Sequence, residues 1–455
     1  MTSRDHLDHH PFHRGIRPQW RVLLWSLIAC IMLWNQAVAA ESWTLEQALA
    51  FASTNSPDAR ISKHRMAIAR EILAQADAAF FPKVQLQGSY TRTDNPLGVF
   101  GAALTQRAYS SSLNFNRVPD ADDLNVRGLL TVPLYSGGRS SAARDAAKSG
   151  SAAVTLDAET TRHAVAFEIA QSFHYVIKTR QFVRAAEAAI QALEGNLKVA
   201  RHRLDAGTLL KTDFLDVEVR LAQSREDRSR AKNALALAEH TLRVLLGIEA
   251  GEITASDTTP SVLAPDVEDQ ASLPELAAAR HRERAAEAEV RGTKSGFRPR
   301  VNAFGSVDFD HGWKFNSSGE NYTGGVLLQW DLWDGETTRH RVAAAKAALD
   351  VQREEERKLR LALDLELKKA KLSLADARER LAVTDRVIAQ ASESANLVRA
   401  RFEQGMALSA QLLDAETLLT TTQLRRADAE CDERIAIAAL RKALGLPQVP
   451  PSAAK

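Results

Sequence analysis

The sequence is poor in the residues that break helices and staple loops. Its 455 residues include only 22 Gly, 14 Pro and two Cys, and aromatic side chains make up 6%. The two cysteines, Cys30 and Cys431, are too few for a disulfide framework or a thiolate metal site. Sparse Gly and Pro leave long stretches with nothing to end a helix. An excess of one charge is missing too: 59 basic side chains face 57 acidic ones, a net charge of +2. Residues 1–40 hold four Arg and two Asp, so the remainder is balanced. A neutral chain without a basic patch is not built to bind nucleic acid. Beyond the amino terminus no apolar run approaches the ~18 residues of a membrane-spanning helix. At 45% apolar and 25% charged, the chain is neither disordered nor uniformly apolar.

Catalytic signatures are absent as well. There is no HExxH, no G-x-S-x-G and no P-loop, because Gly292-Thr293-Lys294-Ser295 lacks the upstream glycine at the required spacing. Histidines beyond residue 40 are scattered and form no ligand-like cluster. The chain is therefore expected to be no enzyme and to need neither cofactor nor metal.

The amino terminus has the pattern of an export signal over residues 1–40. Arg14, Arg17 and Arg21 precede the apolar run Val22 to Trp34, and small residues follow at Ala37, Ala39 and Ala40. Cleavage is expected after Ala39 or Ala40. Leu27-Ile28-Ala29-Cys30 resembles a lipoprotein cleavage box, but the apolar run continues well past Cys30, which does not suit lipidation. His6, His9, His10 and His13 have ligand-like spacing but fall in the removed segment. The mature chain is then exported without a membrane helix. It is either soluble in the periplasm or placed in an outer membrane as a β-barrel.

The remainder is an internal duplication. Phe81-Pro82-Lys83-Val84 through Gly88-Ser89 matches Arg298-Pro299-Arg300-Val301 through Gly305-Ser306, and Pro57 matches Pro274, at one constant offset. A second offset relates Leu134-Tyr135-Ser136-Gly137 to Leu332-Trp333-Asp334-Gly335. It also relates Arg203, Gly207, Leu215, Asp216, Glu218 and Leu246-Gly247 to Arg401, Gly405, Leu413, Asp414, Glu416 and Leu444-Gly445. The offset changes once, between two short alternating segments, so the first copy has the longer connection there, residues 94–123. Such insertions fall in exposed loops, and this one reads as a surface feature. The first repeat is predicted over 41–247, a linker over 248–271, the second repeat over 272–446 and a tail over 447–455.

Each repeat reads as helix, β-hairpin, long helix, turn and helix. Residues 44–79 have helical spacing, interrupted near Asn55-Ser56-Pro57. The hairpins are predicted over 84–135 and 301–333. In 84–93 the residues Val84, Leu86, Gly88 and Tyr90 oppose Gln85, Gln87, Ser89 and Thr91; in 124–135 Leu124, Val126, Leu130, Val132 and Leu134 share a side. Val301, Ala303, Val307 and Phe309 likewise oppose Asn302, Ser306, Asp308 and Asp310, while Tyr322, Val326 and Leu328 oppose Thr323 and Gln329. Period two over about ten residues suits a transmembrane strand. Tyr90, Tyr135, Phe309, Trp313, Tyr322 and Trp333 near the strand ends suit aromatic girdles. Long helices are predicted over 139–204 and 336–402, each roughly 100 Å at about 1.5 Å per residue. Such helices need lateral partners, which the shorter helices 44–79 with 209–246, and 407–444 in the second repeat, can supply. Leu361 to Leu367 alternates like a strand, yet its Leu, Glu and Lys content within a breaker-free run favours helix.

Four strands cannot close a membrane barrel, since single-chain barrels start at about eight. An open edge in lipid would leave backbone groups unpaired at several kcal/mol each. Three chains would supply twelve strands, with Gln85, Gln87, Arg127, Asn302, Asp308 and Gln329 lining a wet lumen.

This arrangement resembles the outer-membrane efflux protein family, the TolC-like channels, from Trp43 to about Gly445. The resemblance is carried by Leu45-Glu46-Gln47-Ala48-Leu49, by Phe81-Pro82-Lys83-Val84 and by Val132-Pro133-Leu134-Tyr135-Ser136-Gly137-Gly138. It is carried further by the paired turns from Arg203 through Gly207 to Asp213 and Asp216, and from Arg401 through Gly405 to Leu412 and Asp414. It implies a mainly α fold with membrane β: a homotrimer with a twelve-stranded barrel in outer-membrane lipid, continued by a long periplasmic helical tunnel. The implied role is a passive exit channel of a tripartite efflux or type I secretion system. The implied partners are a periplasmic adaptor and an inner-membrane pump or transporter. By the same resemblance, Arg203, Gly207, Arg401 and Gly405 mark the tip turns that face the adaptor, and Asp213, Asp216 and Asp414 a pore constriction. Acidic residues also simply suit the first turns of a helix, and Gln411 stands where Asp213 has its counterpart. The competing reading is a soluble periplasmic coiled-coil adaptor or scaffold, which would normally have one helical hairpin rather than two with paired strands.

Overall fold

The structure, a computed structural model, describes residues 41–114, 116–257, 264–265 and 273–449. The export signal with Cys30, most of the second half of the linker and the end of the tail lie outside the described residues.

Strand β1 (Glu41–Trp43) leads into helices α1 (Leu45–Asn55) and α2 (Pro57–Ala78). A capping box starts α1: the Gln47 amide donates to Thr44 Oγ1 at 3.2 Å, and the Thr44 amide donates to Gln47 Oε1 at 2.9 Å. Ser56 breaks the run by leaving the helical conformation, and Pro57 restarts it at the first position of α2, where its missing N–H costs nothing. The first repeat continues with β2 (Lys83–Thr93), α3 (Pro96–Thr105), β3 (Ala121–Tyr135), α4 (Arg139–Asp205) and α5 (Lys211–Leu246). The second has β4 (Ile253–Ala255), α6 (Pro274–Lys294), β5 (Arg300–Gly312), β6 (Ser317–Gln329), α7 (Thr337–Glu403) and α8 (Ser409–Ala443). The ambiguous stretch from Leu361 to Leu367 is helical, inside α7.

Helices α4 and α7 have 67 residues each, and neither stands alone. Helices α2 and α5 both lie against α4, and α6 and α8 both lie against α7, so two shorter helices flank each long one. Helix α4 also packs on α6 and α8, which joins the two repeats into one body. The largest core sits where the shorter helices of the first repeat approach each other. There Ile169, Phe173 and Val176 of α4 meet Leu45, Ala48 and Ala52 of α1, Leu242 and Leu246 of α5, and Ile253. Burying a side chain the size of Phe173 contributes roughly 1.5–3 kcal/mol.

Part of the predicted linker is structured. Strand β4 pairs in parallel with β1, with Glu41 opposite Ile253 and Trp43 opposite Ala255. Helix α5 ends beside this pair in a Schellman turn: the Ile248 amide donates to the Arg243 carbonyl at 3.1 Å, with Gly247 at φ +76°. A Cβ on Gly247 would lie 2.8 Å from the Asn55 carbonyl oxygen and 3.0 Å from Pro57 Cδ. Gly247→Ala is therefore expected to cost about 2–3 kcal/mol, from a strained backbone plus overpacking. Gly207→Ala, equally left-handed at φ +73° but opening on empty space, should cost only about 1 kcal/mol. Thermal midpoints of the two variants check this difference.

The four longer strands form one antiparallel sheet in the order β2-β3-β5-β6. Its register sorts the side chains as the alternation predicts. Gln87, Arg127, Asp308 and Asn321 make one cross-strand row; one residue along, Leu86, Gly128, Val307 and Tyr322 make a row on the opposite face. On the polar face Asn125 Nδ2 donates to Asp310 Oδ1 at 2.8 Å, Asn321 Nδ2 donates to Asp310 Oδ2 at 2.9 Å, and Arg127 pairs with Asp308. On the other face Leu86 is 80% exposed and Tyr322 89%. Within one chain β2 and β6 each pair on one side only. The 94–123 segment, which reads as a surface loop, instead folds α3 back onto the sheet, where Val99 and Ala103 are fully buried. Its two glycines and apolar composition hide a short helix from periodicity.

Candidate functional site at the paired helix turns

The two long helices end in equivalent turns. After α4 the Thr208 amide donates to the Arg203 carbonyl at 2.9 Å and the Gly207 amide to Leu204 at 3.0 Å. After α7 the Met406 amide donates to the Arg401 carbonyl at 2.8 Å and the Gly405 amide to Phe402 at 3.0 Å. Both are Schellman motifs, with Gly207 at φ +73° and Gly405 at φ +79°. The glycines are there because the reversal needs a left-handed residue.

A small core holds the turns side by side. Ala200, Phe214, Phe402, Ala407 and Leu412 are buried together, flanked by Leu197, Leu204, Leu209 and Val398. Arg203 bridges the two turns. Its Nη1 donates to the Phe402 carbonyl at 3.0 Å, its Nη2 donates to the Thr208 carbonyl at 3.3 Å, and its guanidinium lies 5.0 Å from the Phe402 ring centre. A cation on the last carbonyls of the neighbouring long helix offsets the negative end of its dipole. Arg401, its counterpart in the second repeat, is exposed.

The acidic residues divide. Asp213 is half-buried and accepts a hydrogen bond from Ser409 Oγ at 2.9 Å, which ties the start of α5 to the start of α8. Asp216 and Asp414 are exposed on the second turns of α5 and α8. Gln411, in the position equivalent to Asp213, turns back on its own helix, where its Oε1 accepts from the Leu408 amide at 3.2 Å.

A buried polar cluster lies one turn beyond. Glu416 is only 5% exposed. Its Oε1 accepts from Arg399 Nη2 at 2.6 Å, from Arg399 Nε at 3.0 Å and from Asn196 Nδ2 at 3.2 Å. Asn196 comes from α4 and the other two from the second repeat, so this cluster links the repeats. The duplication pairs Glu218 with Glu416, yet Glu218 is exposed. The signal was present in the repeat, but which copy is buried depends on α4 touching α8, which no local pattern reveals.

Among the described residues no group of His, Cys, Asp and Glu could hold a metal ion, and no helix is long and apolar enough to cross a membrane.

The profile of the family described as outer membrane efflux protein matches residues 48–248 and 268–446, one block for each repeat. The chain belongs to the outer membrane efflux protein family. A 189-residue stretch is 24% identical to the outer membrane protein TolC of Vibrio cholerae, covering 42% of this chain and 40% of that protein. The matched stretch thus spans about two-fifths of that relative. Among solved structures, the outer-membrane channel OprN superposes with a TM-score of 0.77 at 20% identity, covering 89% of this chain and 91% of that one. The Campylobacter jejuni CmeC outer membrane channel superposes with a TM-score of 0.77 at 15% identity, covering 89% and 87%. At these identities the likeness shows a shared fold, and that fold includes both the sheet and the helical hairpins of the family.

Proposed function

We propose that three copies of this chain close a twelve-stranded barrel in the outer membrane and continue it as a helical tunnel through the periplasm. The assembly is a passive exit channel of a tripartite efflux or type I secretion system. The observation that carries this reading is the four-stranded sheet. It has one apolar exposed face, one polar hydrogen-bonded face, and two edge strands, β2 and β6, each paired on one side only. Only closure with neighbouring sheets satisfies those edges in lipid. A soluble scaffold would have no use for an exposed face bearing Leu86, Val307, Tyr322 and Val326.

The sequence carries no P-loop or catalytic motif of the kinds that power transport. In this reading the energy comes from an inner-membrane pump or transporter, joined to the channel by a periplasmic adaptor. The turns at Gly207 and Gly405, with Arg203 and the exposed Arg401, are the surfaces we assign to that adaptor. Asp213 lies on the first turn of α5, and Asp216 and Asp414 follow on the second turns of α5 and α8. Three copies would put nine carboxylates around one axis, a collar that favours cations.

Replacing Asp213, Asp216 and Asp414 together with Ala is expected to weaken cation selectivity and block by multivalent cations in planar bilayers. Unchanged selectivity and block would assign these carboxylates to helix capping and to the Asp213–Ser409 tie instead.

A further inference from the structure

Helix α3 is apolar on both sides, and its seat on the sheet shows which way it faces. Val99, Ala103 and Gln106 are fully buried beneath it. Gln106 Nε2 donates to the Asp122 carbonyl at 2.7 Å and to Asp123 Oδ1 at 2.9 Å, and Ser317 Oγ donates to the Gln106 carbonyl at 2.6 Å. Two glycines make room for it. A Cβ on Gly319 would lie 1.9 Å from the Thr105 carbonyl oxygen, and one on Gly312 would lie 2.1 Å from Gln106 Oε1. Gly319 pairs with Asp310, and Gly312 lies two residues beyond it on the same strand. Both therefore belong to the polar face that carries Asp308 and Asp310. Arg107 closes the helix in the left-handed conformation at φ +55°, with its Nη2 donating to the Glu320 carbonyl at 3.0 Å. Strain at a non-glycine residue persists where the surroundings fix it.

Helix α3 therefore rests on the face that turns inward when the barrel closes. It sits at the end of the strands remote from the long helices, beside the pairs Thr93–Ala121 and Gly312–Ser317. Its other side carries Leu97, 77% exposed, and Leu104, 48% exposed, seven residues apart and so on one face. A helix that is apolar all round is a buried helix, yet among the described residues nothing covers Leu97, and Leu104 is only half covered. Barrel geometry supplies the cover. Twelve strands about 4.8 Å apart and tilted by about 40° enclose a backbone cylinder roughly 24 Å across. A helix with its side chains is about 10 Å thick, so three of them standing on the inner wall meet near the axis.

We propose that the three copies of α3 converge inside the outer mouth of the barrel and bury Leu97 and Leu104 against one another as an apolar exit constriction. This rests on the trimeric channel reading. An apolar ring of this kind excludes water and hydrated ions, so it forms a second barrier, at the opposite end from the acidic tip.

The test places a reporter cysteine at Gln85, which lies on the polar face deeper in the barrel. Cys431 is buried, with its thiol pushed up to about 12, and stays unlabelled as the internal control. Whole cells carrying Gln85→Cys are treated with a bulky, membrane-impermeant maleimide from outside. Labelling should be slow in the parent and roughly tenfold faster or more when Leu97→Asp and Leu104→Asp are added, because charged copies repel across the axis. Gly319→Val, which unseats α3 without touching its apolar side, should speed labelling likewise. In separate variants Leu97→Cys or Leu104→Cys should give cross-linked dimers on oxidation, with Cys431 buried and unreactive. Equal labelling rates in all backgrounds, or no cross-link from either position, would overturn the constriction. Native mass is measured on the same preparations: a trimer with equal rates sinks the constriction alone, whereas a monomer sinks the channel reading.

Discussion

Glu416→Ala is expected to destabilise the helical body by about 2–3 kcal/mol, while Glu218→Ala, at the equivalent place in the first repeat, changes stability by less than about 0.5 kcal/mol. The contrast follows from burial. Glu416 is 5% exposed and accepts two hydrogen bonds from Arg399 and one from Asn196, itself only 2% exposed. Truncating Glu416 takes the acceptor from Arg399 Nε and Nη2 and from Asn196 Nδ2, leaving Arg399 only its bond from Nη1 to Asn396 Oδ1 at 3.2 Å. Breaking a fully buried pair costs about 3–5 kcal/mol; the Arg399 side chain keeps 30% of its exposure, so water recovers part of that. Asn196 is on α4, so the loss also weakens the contact between the two repeats. Glu218 is exposed, and its removal strips nothing of a partner. Thermal unfolding of the purified variants, with limited proteolysis at the turns, reads the difference. Equal midpoints for the two would mean that the cluster does not join the repeats.

Acid is expected to weaken the protein through His174, by about 3 kcal/mol per chain between pH 6.5 and pH 4. His174 lies in α4, buried between its own helix and α8, where Cys431 Sγ approaches the His174 carbonyl at 3.6 Å. Its Nδ1 has no hydrogen-bond partner among the described residues. Burial is the main cause that pushes its pKa from 6.5 down to about 4, and the nearby Arg434 adds to it. Lys178, one turn along, is paired with Asp428 at 3.2 Å and adds no acceptor. The folded chain therefore holds His174 neutral, while the unfolded chain protonates it below about pH 6.5. The native state binds fewer protons across that window, so stability is full above it and falls as the pH drops toward the folded value. His174→Gln, which cannot titrate, should flatten the pH dependence of the unfolding midpoint between pH 6.5 and pH 4. An unchanged slope in that variant would assign the acid sensitivity to carboxylates.

Much of the architecture was legible because it is written twice. The repeat of Arg203, Gly207 and Asp216 as Arg401, Gly405 and Asp414 marks two equivalent helix turns before any coordinate is known. The period-two alternation around Leu86 and Val307 sets both faces of the sheet. What stayed hidden depends on contacts between distant segments. Strands β1 and β4 are three residues each, too short to show a period, and exist only because residues over two hundred apart meet. Helix α3 is apolar on every side, so it shows no amphipathic pattern, and its seat on Gly312 and Gly319 comes from the other repeat. The acidic positions were visible, but Asp213 tied to Ser409 and Glu416 buried against Asn196 are asymmetries between copies. A duplicated pattern predicts sameness, and packing between the repeats breaks it.

The central claim is that the open four-stranded sheet closes with two others. Its most direct test is the native mass of the mature protein extracted from membranes in detergent, together with the fraction in which it is found. Three chains per particle, recovered from the outer membrane, is the expected result. A monomer in the soluble periplasmic fraction would contradict the barrel and bring the coiled-coil scaffold forward in its place.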